Sequence, residues 1–121
     1  MKSYKLIASL LLFSISSLAY SVDTGHADVS LIKFSNNGSQ TNEIFVGIKM
    51  DMQKNWHTYW KNPGDSGGPI KVSWNLPDGV SISDIYWPTP KLIPYSPLMT
   101  YGYKDFVIFP FKVNFEDYGQ L

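Results

Sequence analysis

The chain has 121 residues, enough for one domain. It contains no Cys, which excludes a disulfide, a thiolate nucleophile and a zinc–thiolate site. Ten basic residues, all Lys, balance ten acidic ones, so the basic stripe that nucleic-acid binding needs to displace counterions is missing.

The first segment reads as a targeting signal. Lys2 and Lys5 form a positive start, residues 6–15 are nearly all apolar, and Ser17, Leu18 and Ala19 supply a cleavage site. The apolar run is shorter than the roughly 20 residues that span a bilayer. Residues 1–21 are therefore assigned to a signal peptide, cut near Ala19, with an uncleaved anchor as the other reading. Residues 22–121 form the exported domain. It keeps eight Lys against ten acids, a net charge of about −2.

No 12-residue window beyond the signal has a clean helical period, and Pro and Gly are spread throughout. Strand patterns are clearer. Residues 29–34 form a first strand, and Ser35, Asn36, Asn37, Gly38 and Ser39 a turn. Ile44, Val46, Ile48, Met50 and Met52 alternate with Phe45, Gly47, Lys49 and Asp51, giving one buried face and one mixed face. Residues 61–69 are a Gly/Pro-rich loop. Ile70, Val72 and Trp74 mark a third strand, Leu76, Pro77, Asp78 and Gly79 a turn, and residues 80–85 a fourth strand. Residues 87–97 hold four prolines, so they should run extended with few ladder bonds. Residues 98–103 give a fifth strand. Val107, Phe109, Phe111, Val113 and Phe115 alternate as a sixth, in which Pro110 argues for an edge or a bulge. The expected fold is all-β, an immunoglobulin-like antiparallel sandwich. Such sandwiches usually have about seven strands, so the chain is expected to stop short of a last strand, leaving a Val/Phe-rich edge unpaired.

Gly64, Asp65, Ser66, Gly67, Gly68 and Pro69 spell the stretch around the nucleophile of trypsin-like proteases, and His57 lies nearby. The protease reading fails. That fold is about twice this length, and it takes its His and Asp from distant segments that precede the Ser. A triad is defined by geometry and roles, not by a hexapeptide. The plainer reading is a Gly-rich loop in which Asp65 and Ser66 bond local backbone amides.

Trp56, His57, Thr58, Tyr59 and Trp60 place three large aromatics and a His within five positions. Strand alternation puts Trp56, Thr58 and Trp60 on one face, with His57 and Tyr59 on the other. Two buried faces would make this a central strand packed in the core. One open face would make it an aromatic patch for a partner or ligand. His26 is the other His, and no carboxylate set at ligand spacing accompanies the pair, so no metal and no cofactor is expected.

The run from Trp56 to Trp60, followed by Asn62, Pro63, Gly64, Asp65, Ser66 and Gly67, resembles the hallmark of the N-terminal domain of DsbD/ScsB-type protein-disulfide reductases. Three further features match in order: Trp74 to Val80, then Trp87, Pro88, Thr89 and Pro90, then Tyr101, Gly102 and Tyr103 before an apolar strand. The resemblance covers roughly residues 27–113. Lys61, often Arg in relatives, and Gly68, often apolar, are small departures. The resemblance implies an immunoglobulin-like periplasmic domain attached to a membrane-spanning electron carrier that reduces periplasmic thiol proteins, disulfide isomerases among them. That relay runs through mixed disulfides and needs a Cys pair. In relatives the pair is expected beyond the segment matching residues 106–115, and this chain has none, so no catalytic residue carries over. As candidate partner-binding or motif residues the resemblance marks Trp56, His57, Tyr59, Trp60, Asn62, Pro63, Gly64, Asp65, Ser66, Trp87, Tyr101 and Tyr103.

Three functions are in play. The first is the front piece of a thiol:disulfide interchange protein, structural or docking in role. The second is a free-standing, exported, cysteine-free binding module that uses an aromatic patch of Trp56, Tyr59, Trp60 and Trp87 on a protein or glycan. The third, an enzyme in its own right, rests only on His57, Asp65 and Ser66.

Overall fold

Alternation of apolar side chains builds both layers of the molecule. The computed structural model describes residues 21–34 and 43–116. They form eight strands and, among the described residues, no helix. The strands are β1 (Ser21–Asp23), β2 (Ala27–Phe34), β3 (Glu43–Met52), β4 (His57–Gly64), β5 (Val80–Ile82), β6 (Lys91–Tyr95), β7 (Leu98–Lys104) and β8 (Phe106–Phe115). One sheet has the order β1-β2-β3-β8-β5 and the other β4-β7-β6, and every pairing is antiparallel. The two sheets make the immunoglobulin-like β-sandwich that the strand pattern predicts.

The core lies on the inner face of β8. Val107, Phe109, Phe111 and Val113 are buried, Phe109 completely. Their register partners Met50, Ile48, Val46 and Ile44 share that face on β3. Tyr103 crosses from the smaller sheet and meets Phe109 edge-on at 5.4 Å. Trp87 meets the same ring at 5.6 Å, and Trp74 meets Phe111 at 5.1 Å. Fully burying one such large apolar side chain is worth about 1.5–3 kcal/mol, so these few rings dominate a small core. On the flank of the same sheet, Lys112 Nζ lies 2.9 Å from Glu43 Oε1. The hydrogen bond to that carboxylate, together with its charge, holds the ammonium above the usual lysine range.

Several sequence expectations change. Residues 70–74 form no strand. Ile70, Val72 and Trp74 nevertheless pack against the core, so the segment contributes side chains without a backbone ladder. The fourth strand stops at Ile82; beyond it Ser83 N–H donates to Lys112 O, Lys112 N–H donates to Ser83 Oγ, and Tyr86 N–H donates to Pro110 O. The proline-rich stretch, expected to pair little, contains β6, which is laddered to β7 from Lys91 to Tyr95. Pro94 is tolerated because β6 is an edge strand, where a missing N–H costs no bond. Pro110 marks neither an edge nor a bulge. It sits in unbroken register opposite Gly47, and its carbonyl faces Tyr86, away from β3. Its ring nitrogen shares that side, past the point where β5 has ended. The Val/Phe-rich strand is therefore interior, with β3 on one side and β5 on the other. Of the signal assigned to residues 1–21, residues 1–20 lie outside the described residues, as does the turn at 35–39, while Ser21 opens β1.

Candidate functional site

The aromatic segment begins with a turn. Asn55 has φ 71°, and Trp56 N–H donates to Gln53 O at 3.0 Å. This turn takes Trp56 out of the strand alternation. Its ring stacks on His26, centroids 3.6 Å apart and 12° from parallel, and it stays 46% exposed. Gln53 N–H in turn donates to His26 O at 2.9 Å, which fixes the platform beneath the indole.

From His57 the chain is β4, and its two faces diverge. Thr58 is buried opposite Tyr103. Trp60 packs against the core, meets Tyr101 edge-on at 6.3 Å and carries Lys61 Nζ 5.5 Å over its ring. His57 and Tyr59 point to the outer face of the smaller sheet, their rings 5.1 Å apart and edge to face. Register places Lys104 beside His57, and Gly102 then Lys91 beside Tyr59.

The ladder breaks after Tyr59 and resumes at Gly64 opposite Thr100. The bulge holds Asn62, which is exposed, and Pro63, which has no N–H to lose. Gly64 has φ 88°, and a Cβ there would strike the carbonyl of Met99. The loop that follows is clasped to β7. Asp65 N–H donates to Met99 O at 3.1 Å, and Met99 N–H donates to Asp65 Oδ2 at 2.9 Å. Ser66 Oγ and Thr100 Oγ1 share a hydrogen bond of 2.7 Å, and Thr100 is only 1% exposed. Gly67, with φ 70°, leaves no room for a Cβ against the Tyr59 ring. The loop thus lies across the outer face. With Asn55, Trp56, His57, Tyr59, Ile93 and Leu98 it bounds a cleft of about 480 Å³.

This geometry has no hydrolytic arrangement. Asp65 is bonded to the Met99 backbone and Ser66 to Thr100, while His57 meets only the edge of Tyr59. A triad requires His to bond both partners. Among the described residues no group of three His, Cys, Asp or Glu could hold a metal ion.

The sequence-marked residues separate into distinct places. Trp56, His57, Tyr59 and Ser66 line the cleft. Gly64 and Asp65 form the clasp, and Asn62 and Pro63 the bulge. Trp60 and Tyr101 meet on the inner side. Trp87 and Tyr103 flank Phe109 in the core. Tyr103 Oη donates to Pro88 O at 2.7 Å, and burial pushes its phenol up to about 12. Sequence reading missed Ile93, Leu98, Met99 and Thr100, which complete the cleft and its clasp, because nothing local ties them to a loop about 30 residues earlier. It also missed His26 as the seat of Trp56.

Comparison with known proteins follows these features. The family described as "Thiol:disulfide interchange protein DsbD, N-terminal" matches residues 28–121. The crystal structure of the N-terminal periplasmic domain of ScsB from Proteus mirabilis is similar, with a TM-score of 0.62 and 25% sequence identity. The match covers 79% of this chain and 38% of that one, so the chain spans well under half of that structure's length. No curated protein matches the sequence.

Proposed function

Since the chain belongs to the family of DsbD N-terminal domains, we propose that it is the periplasmic, signal-directed N-terminal domain of a thiol:disulfide interchange protein, and that it docks partners without exchanging disulfides itself. The observation that carries this reading is a folded domain of that family with no Cys anywhere in its sequence. Thiol–disulfide exchange needs a thiolate to attack a disulfide sulfur, and no other side chain here substitutes for it. The parent protein would relay reducing equivalents from a membrane electron-carrier domain to periplasmic thiol proteins. This domain would shape where those proteins sit.

The test mixes the purified chain with a periplasmic disulfide isomerase in its reduced and oxidised forms. The expected result is an unchanged thiol titre together with saturable binding by calorimetry. Absence of binding to both forms overturns the docking role. Reading the coding DNA past Leu121 supplies an independent check. An open frame leading to a Cys pair and hydrophobic spans supports the assignment. A stop codon there moves the free-standing binding module to the front.

A further inference from the structure

We propose that the outer face of the smaller sheet receives an acidic segment of a protein partner, which seats an apolar side chain in the Trp56–Tyr59–Leu98 cleft. This deepens the docking reading above and rests on it. Cross-strand register carries the placement. Partners opposite one another share a face, so His57, Tyr59, Lys104, Thr100, Lys91 and Ile93 all lie on one surface. Gly102, between Tyr59 and Lys91, supplies no side chain, and a Cβ there would strike the Thr58 carbonyl of β4.

The charged side chains that register places on this face are both lysines. Lys91 and Lys104 are exposed on it, and Lys54 is exposed in the turn at the rim of the cleft. The ion pairs among the described residues are Lys49 with Asp51 and Lys112 with Glu43, so all three of these ammonium groups are unpaired. No acidic side chain lines the cleft. Asp65 at its lip is committed to the Met99 N–H, and Asp105 lies in the turn beyond Lys104. Such a face attracts carboxylates against the weakly negative charge of the domain as a whole.

The cleft adds an apolar seat. Trp56 is 46% and Leu98 37% exposed at its mouth, while Ile93 forms its floor at 3%. Its volume falls within the roughly 300–1,000 Å³ of ordinary binding pockets. The Asp65–Met99 and Ser66–Thr100 bonds hold the walls in place before a partner arrives, which lowers the ordering cost of binding.

The test uses the whole chain and two labelled peptides, one rich in Asp and Glu around a central Phe, the other with Lys in place of the acids. Fluorescence anisotropy should show the acidic peptide binding about tenfold tighter and losing affinity as salt rises. The double substitution Lys91→Glu and Lys104→Glu should abolish that preference while leaving the melting curve unchanged, since neither side chain has a partner to lose. Trp56→Ala should weaken the acidic peptide without altering the salt dependence. Equal binding of the two peptides, or insensitivity to the double charge reversal, overturns the proposal. If the isomerase binds and the charge reversal does not weaken it, docking stands and this face is the wrong one. If the acidic peptide binds and no thiol protein does, the face stands and the docking function falls.

Discussion

Two residues show how closely the motif is fitted. Gly67 has a left-handed φ, and the ring of Tyr59 occupies the space where a Cβ would stand. Gly67→Ala must therefore strain the backbone and push the ring, a combined cost of about 1–3 kcal/mol. In a Tyr59→Ala background the same substitution should cost less, because only the backbone strain remains, and chemical denaturation of the four variants measures the coupling. Tyr103 offers a pH readout. Its phenol is raised from an ordinary 10.0 to about 12 in the folded state. The group is neutral in both states below pH 10, and its contribution to stability is then fully present. Between about pH 10 and 12 the unfolded chain loses this proton more readily than the folded one, so stability falls across that window. The total is on the order of 2 kcal/mol. Tyr103→Phe should flatten this part of the profile of stability against pH, and it should cost about 1 kcal/mol at neutral pH through the lost bond to Pro88.

At the scale of elements, alternation was legible and pairing was not. The apolar period of β3 and β8 identified their buried faces correctly, because one face of each is sealed by rings and branched chains. The same period in residues 70–74 gave side chains that reach the core on a segment with no ladder. Period alone reports burial, and burial does not require a strand. The prolines of residues 87–97 misled in the opposite direction, since an edge strand tolerates them. In the site, the aromatic half was visible as a cluster, yet its division between two faces depended on the Asn55 turn. The clasp was half visible. Asp65 and Ser66 looked like backbone binders, and Asp65 does bind backbone, but on β7 instead of locally. Asp65→Ala should release the loop, costing about 1 kcal/mol because the bond is exposed, and should speed hydrogen exchange at the Met99 amide. Asp65→Asn keeps an acceptor oxygen and should retain most of that protection. Equal exchange in the two variants would show that the carboxylate does not hold the loop.

Among the described residues, the two sheets meet through a shared core in which Phe109 is the most buried ring. Phe109 is fully buried on β8, and it meets Tyr103 of the smaller sheet and Trp87 of the connecting segment. Backbone ladders run within each sheet, so the layers are joined by side-chain packing, with Phe109 near its centre and Trp60, Val107 and Phe111 beside it. Phe109→Ala should cost about 3–5 kcal/mol through lost transfer energy and the cavity left behind. For a domain of roughly 100 residues, each kcal/mol lowers the melting temperature by about 4–8 °C, so the melt should fall by well over 10 °C. The loss should also be shared. Hydrogen exchange at β6 and β7 amides should accelerate together with that at β3 and β8, because the smaller sheet has only three strands and depends on the larger one for its inner face. Fluorescence should report the same event, since Trp87 loses the ring it packs against. Persistent protection of the β6–β7 ladder after β3 and β8 have opened would mean that the smaller sheet, which carries the cleft and its clasp, is held by its own outer contacts at Ile93, Thr100 and Tyr59. The site would then be stable independently of the sandwich beneath it.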